Sequence, residues 1–266
     1  MTDRWETLGP AIRRRRAENP GPMTLDGTNS YVLGAPGSSH IIVVDPGPNL
    51  ATHLAELATA GTVELIVITH RHGDHTEGSA ALHELTGAPV RAFASEHCHG
   101  GEPLVDGEII QAGGLTLRVV ATPGHTSDSL CFVLHDSDLP GSTAILTGDT
   151  ILGQGTTVLD YPDGTLVDYL RSLELLAELS FGADPVVGLP GHGPVLPDLA
   201  ATIVAYQSHR QERLGQVRAA LEAFQQTHGA EATVADIVSL VYGDVPENVL
   251  GAAALSVEAQ LEYLRG

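Results

Sequence analysis

The segment Thr69-His70-Arg71-His72-Gly73-Asp74-His75 decides how this chain is read. Histidine makes up 13 of the 266 residues, and an H-x-H-x-D-H spacing arises by chance in such a chain with a probability of roughly 0.002. The spacing is therefore read as a site. Val63-Glu64-Leu65-Ile66-Val67-Ile68 before it predicts a strand; His70 and His72, two apart at its end, would point to one side of extended backbone. Gly73 allows a tight turn, and Asp74 and His75 open a predicted helix from Thr76 to Leu85. Imidazole nitrogens and carboxylate oxygens suit Zn²⁺, and the lack of thiolates argues against a closed structural zinc site. Singly, the same residues have plainer roles. Asp74 with Glu77 three residues on fits a helix capping box, and each histidine fits a hydrogen-bonded core residue. Only the joint spacing favours metal.

Three further segments repeat one design, a strand followed by a tight turn that displays a ligand-type side chain. They are Val119 to Thr126 with His125, Ala144 to Thr150 with Asp149, and Val186 to Gly193 with His192. Open α/β sheets place their sites just past strand ends. The candidate set is then His70, His72, Asp74, His75, His125, Asp149 and His192. Seven ligands are too many for one tetrahedral zinc but fit two metals if one carboxylate bridges.

Around these motifs, strands at Ile41 to Val44 and Val63 to Ile68 flank a helical pattern from Asn49 to Ala60. Leu115 to Val120, Ser129 to Leu134 and Thr143 to Leu146 follow closely with turns between them, which predicts mixed sheets in an α/β class. Past Pro197 the strand signals stop. Helical patterns run over Leu199 to Thr227, Thr233 to Val241 and Glu247 to Leu264, with Tyr242-Gly243-Asp244-Val245-Pro246 as a turn. The division expected is a catalytic domain at 1–200 and a C-terminal helical, winged-helix-like segment at 201–266.

Lys plus Arg total 13 against 33 for Asp plus Glu, a formal charge of −20, and every one of the 13 is Arg. Without a lysine amine the chain is not a Schiff-base, pyridoxal-phosphate or P-loop enzyme. Cys98 and Cys131 are too few for a disulfide framework and read as small buried residues. The run Arg13 to Arg16 is followed by no apolar signal region, and no apolar run approaches the ~20 residues that span a bilayer. The expectation is a soluble, cytoplasmic protein with no membrane partner.

In their order, T-H-x-H-x-D-H at 69–75, P-G-H-T at 123–126, G-D-T at 148–150 and P-G-H-G at 190–193 resemble the metallo-β-lactamase-fold hydrolases over about residues 20–195. The resemblance implies a four-layer αββα sandwich. It also implies His70, His72 and His125 on a first metal, Asp74, His75 and His192 on a second, and Asp149 bridging. The stretch Asn19 to Asn29, with Pro190 to Pro194 and His209 to Arg213, is similar to the lactamase-beta-like subgroup. That subgroup includes a single-strand endoribonuclease and fungal acyl-carrier-protein thioesterases.

The function expected is hydrolysis by a hydroxide bridging two Zn²⁺, with iron or manganese as other metals, and with Asp74 as both ligand and orienter of the nucleophile. Asp45, Thr69 and Asp128 are candidate partners for histidine N–H groups, or ordinary turn residues. The leading substrate expectation is a single-stranded RNA phosphodiester, with Arg13 to Arg16 and Arg210, Arg213 and Arg218 as basic groups; the alternative role of these arginines is a solvated surface. The other readings are a small ester, thioester or lactone hydrolase, an iron redox protein of the same fold, and a metal-free binding module.

Overall fold

The computed structural model describes residues 5–135, 143–182, 184–243, 246 and 249–266. Short runs of β-branched residues build two sheets. In the first, β1 (Trp5–Thr7), β2 (Ile12–Arg16), β3 (Asn29–Leu33), β4 (His40–Val44), β5 (Thr62–Val67) and β6 (Val90–Arg91) lie side by side in chain order, antiparallel as far as β4 and parallel beyond. In the second, β7 (Ile109–Ala112), β8 (Leu115–Ala121), β9 (Leu130–His135) and β10 (Thr143–Gly148) form an antiparallel meander, and β11 (Val187–Pro190) adds parallel to β10. Parallel neighbours need crossovers. These are α1 (Ala51–Ala58) between β4 and β5, α2 (Gly73–Thr76) and α3 (Ser79–Thr86) between β5 and β6, and α4 (Leu166–Leu179) between β10 and β11.

Period-two alternation sorts the side chains into layers. Ile42, Val44, Leu117, Val119, Phe132 and Leu146 fill the space between the sheets. Their neighbours point the other way: Ile41 and Val43 lie beneath Leu54, Leu57 and Leu82 of α1 and α3, while Val120, Cys131, Val133 and Ile145 lie beneath α4 and α5 (Leu199–His228). The result is the expected four-layer αββα sandwich. Beyond it, α5, α6 (Val234–Val241) and α7 (Leu250–Arg265) share a small core around Val217, Ile237, Val257 and Leu261. Gly229 ends α5 in a left-handed conformation, and a capping box from Thr233 to Asp236 starts α6. The boundary expected at residue 200 falls in the first turn of α5. Asp244 and Val245 of the expected turn, and Glu247 at the expected start of the last helix, lie outside the described residues. No helix among the described residues is long and apolar enough to cross a membrane.

Two local expectations need correction, and one alternative weighed for Asp74 is not taken up. The helix read from Thr76 to Leu85 is two helices, because Gly78 donates its N–H to Gly47 O at 2.9 Å and has no room for a Cβ against Leu54 and that carbonyl. The strand before the histidine motif stops at Val67 rather than Ile68, so His70 and His72 stand just past it, with His72 still extended at φ −59° and ψ 142°. Asp74 is not a helix cap: the N-cap of α2 is His72, with no side-chain capping bond.

The strand directions bring the carboxyl ends of β5, β8, β10 and β11 to one rim. Two backbone bonds stitch the sheets together there, Leu130 N–H to Thr69 O at 2.7 Å and Asn29 N–H to Gly191 O at 2.7 Å.

Candidate metal centre

All seven candidate ligands meet at the stitched rim. Three sets of potential ligand atoms lie within 4.8 Å of one another: His70, His72 and His125; His70, His75 and Asp149; and Asp74, His75 and His192. His72 Nδ1 stands 3.1 Å from His70 Nε2 and 3.0 Å from His125 Nε2. His75 Nε2 and His192 Nε2 are 3.3 Å apart, with Asp74 Oδ2 at 3.3 and 3.2 Å from them. Asp149 sits between the groups. Its Oδ2 is 3.2 Å from His192, 3.8 Å from His125 and 4.0 Å from His70, and its Oδ1 is 3.6 Å from His75.

The outer nitrogen of each ring is tied to the protein. His70 Nδ1 meets Thr69 Oγ1 at 3.0 Å, and that hydroxyl donates to Asp45 Oδ2 at 2.7 Å. The hydroxyl proton being committed, Thr69 accepts from His70 Nδ1–H, which leaves the Nε2 lone pair facing inward. His125 Nδ1 donates to Val158 O at 2.6 Å, His75 Nδ1 pairs with Asp45 Oδ2 at 2.8 Å, His192 Nδ1 faces Gly27 O at 3.4 Å, and His72 Nε2 faces Asp160 Oδ2 at 3.3 Å. His70 and His125, whose outer nitrogens donate, turn inner lone pairs toward the centre, whereas the inner nitrogens of His75 and His192 face the carboxylates of Asp74 and Asp149, and all of these atoms are of the kind that ligate a cation.

Electrostatics divide the rings into two pairs. Burial, reinforced by the charge of His75, drives His70 well below its usual pKa, and burial takes His125 down to about 4. Burial works against charge on His75 and His192 too, but there the carboxylates win. Asp45, Asp149 and Asp74 raise His75, and Asp149 foremost raises His192 to about 9. In return, and against their own burial, Asp74 is held far below the carboxylate range chiefly by His75, and Asp149 chiefly by His192. The fit for cations also rests on an orphan: among the described residues Asp149 Oδ1 is buried without a hydrogen-bond partner, a costly state for a carboxylate oxygen that a metal relieves. Gly191 preserves the gap, since a Cβ there would lie 2.4 Å from Asp149 Oδ1 and 2.7 Å from His75 Cε1.

Of the three expected supports, Asp45 and Thr69 bond to site histidines as described; Asp45 takes a left-handed φ of 53° as it accepts from Thr69 N–H at 2.7 Å. Asp128 does not. It is buried, its Oδ1 has no partner, and no hydrogen bond joins it to a site histidine among the described residues. Sequence reasoning missed Thr28, whose hydroxyl donates to Asp74 Oδ2 at 2.8 Å and which Asn19 holds through two bonds of 2.9 Å. It also missed Asp160, which joins Arg71 to His72. Thr28 lay inside the conspicuous 19–29 stretch, whereas Asp160 only precedes the ordinary turn Tyr161-Pro162-Asp163-Gly164 and carries no signal.

The arginines offered as an RNA-binding groove have other partners. Arg13 donates to Ala60 O at 2.8 Å and lies over Trp5, Arg14 pairs with Glu6, Arg15 is buried against Glu56, and Arg16 faces Asp26 at 3.4 Å. Arg210 is buried, and Arg213 bonds Gln216 at 2.8 Å and lies over Tyr242. Arg218 is exposed.

Residues 23–192 match the family described as Metallo-beta-lactamase superfamily, and residues 233–265 match the Beta-lactamase associated winged helix domain. An Atrochrysone carboxyl ACP thioesterase of Aspergillus chevalieri is 33% identical over 254 residues, covering 92% of this chain and 77% of that protein. A Beta-lactamase-like protein 2 homolog of Caenorhabditis elegans is 34% identical over 271 residues, covering 97% and 85%. Among solved structures, a metallo-beta-lactamase family protein of Thermus thermophilus superposes with a TM-score of 0.76 at 24% identity, covering 97% of this chain and 94% of that one.

Proposed function

The chain belongs to the metallo-β-lactamase superfamily of hydrolases, and from that premise we propose that it hydrolyses a small thioester at a centre of two Zn²⁺. The observation that carries the reading is the set of five imidazoles, each tied outward, whose inner nitrogens crowd with Asp74 around a buried carboxylate that has an orphaned oxygen among the described residues. In this reading His70, His72 and His125 would hold one ion and Asp74, His75 and His192 the other, with Asp149 in reach of both sets as a shared ligand. Imidazole and carboxylate donors without thiolate favour zinc over softer alternatives. Bound there, the ions supply Lewis acidity for the scissile carbonyl and bring the pKa of a water near 7. Asp74, kept ionised by His75 and His192 and steadied by Thr28, orients the attacking water. The residues 1–200 are taken as the catalytic domain and 201–266 as an appended segment that walls one side of it.

The name of the Aspergillus chevalieri relative, an ACP thioesterase, supports a thioester as the scissile bond. RNA is the weaker alternative, because a chain of charge −20 needs a concentrated basic groove to gain from phosphate neutralisation, and Arg13 to Arg15 and Arg210 are held within the fold. The test is a screen of acyl thioesters against a single-stranded oligoribonucleotide, with metal analysis of protein purified without added metal. Thioester turnover that a chelator abolishes and Zn²⁺ restores, and that His72→Ala lacks, is the expected result. Cleavage of RNA alone would overturn the substrate, and full activity of His72→Ala would overturn the centre. Iron as the purified metal would overturn zinc.

A further inference from the structure

Arg210 sits where a charge does not belong. On α5 the stripe Ile203, Tyr206, Arg210, Leu214 and Val217 faces inward at helical spacing, and all five are buried. Arg210 is only 5% exposed, yet among the described residues its partners are a carbonyl and an aromatic face rather than a carboxylate: Nη2 donates to Thr157 O, and its Cζ lies 4.8 Å from the centre of the Tyr169 ring. A buried cation with no counter-charge among the described residues is expensive, so what it holds matters.

It holds a strap between β10 and α4 that bears on three candidate ligands within four residues. Thr157 Oγ1 donates to Asp149 O at 2.8 Å, Val158 O accepts from His125 Nδ1 at 2.6 Å, and Asp160 donates N–H to His125 O at 2.9 Å while presenting Oδ2 to His72 Nε2. One turn earlier on α5, Tyr206 accepts from Leu152 N–H at 2.9 Å and fixes the other end of the strap. Tyr169, beneath Arg210, donates to Thr150 O at 2.7 Å, beside Asp149.

We propose that Arg210 is a positioning residue for the metal centre, clamping the strap at Thr157 to Asp160 so that His72, His125 and Asp149 converge. The helical segment past the sandwich is then part of the machinery through α5. This inference rests on the two-metal reading above.

The experiment compares full-length wild type, Arg210→Met, Arg210→Lys and Val257→Ala, the last loosening the C-terminal core without touching the strap. Each is titrated with Co²⁺ against a competing chelator, and its visible absorption spectrum is recorded. Removing support from behind metal ligands costs roughly 10–100-fold in affinity, so Arg210→Met is expected to bind Co²⁺ at least about tenfold more weakly with an altered spectrum. Arg210→Lys, which keeps a donor, falls between, and Val257→Ala matches wild type. If Arg210→Met does not fold, weakened binding with a shifted spectrum in Arg210→Lys supports the proposal in its place. Wild-type affinity and spectrum in the folded Arg210 variants would overturn the proposal, as would equal weakening in Val257→Ala, which would make the effect general loosening. A wild type that takes up no Co²⁺ would instead overturn the metal reading itself, and this inference with it.

Discussion

Gly191→Ala is the smallest change that probes the centre directly, because it adds one methyl group and removes no ligand. The added Cβ would stand 2.4 Å from Asp149 Oδ1 and 2.7 Å from His75 Cε1, and real Cβ contacts stay beyond 3.0 Å. Asp149 must therefore retreat by about 0.6 Å, the difference between 3.0 and 2.4 Å. It has little room, for it is 8% exposed and its carbonyl is pinned by Thr157. Overpacking of this kind costs about 1–3 kcal/mol of stability. Displacement of reacting or ligating groups by about 1 Å costs on the order of 100-fold in rate, so a retreat of half that size is expected to cost on the order of tenfold, with a comparable loss of metal affinity. Urea unfolding, chelator competition and thioester turnover read the three effects on one preparation. A Gly191→Ala protein with wild-type metal affinity and turnover would refute the reasoning, since Asp149 would then have no fixed place to lose.

The sandwich interior and a buried histidine offer two independent tests. Phe132 is fully buried between the sheets, and Phe132→Ala is expected to lower unfolding free energy by about 3–5 kcal/mol, seen as a lower denaturant midpoint, while metal stoichiometry stays unchanged. His53 accepts or donates at Ser30 Oγ across 2.9 Å, and burial lowers its pKa to about 4. The unfolded chain thus takes up its proton first as pH falls: stability from this group is whole above pH 6.5 and declines until about pH 4, by at most about 3 kcal/mol. His53→Gln should flatten that part of the stability–pH curve, and an unchanged slope would show that the ring titrates normally.

How much was legible follows from what leaves a mark in sequence. His70, His72, His75, His125, Asp149 and His192 were readable because each follows a recognisable strand and turn. The β-branched run Ile41 to Val44 and the meander from Leu115 onward were readable from their composition and the turns that bound them. The arginine run hid β2, whose outward faces are satisfied by Glu6 and Glu56 rather than by water. The spacing of Leu166, Tyr169, Leu173 and Leu176 on α4 is helical and went unread between two motifs. Val158 was invisible in principle, since it serves His125 through its carbonyl, which every residue possesses. Arg210 was legible after all: a charge in register with an apolar stripe is the mark, and counting arginines as surface groups concealed it.

The two backbone stitches at Thr69 and Gly191 also have a practical side. Because β3 and β4 run antiparallel, their hairpin lies at the opposite rim, where Gly37 has a φ of +82° and open space around it. That tip is the natural grafting point of the molecule. A fluorophore, affinity handle or surface tether attached there would leave the working end facing away from its support, oriented and unobstructed.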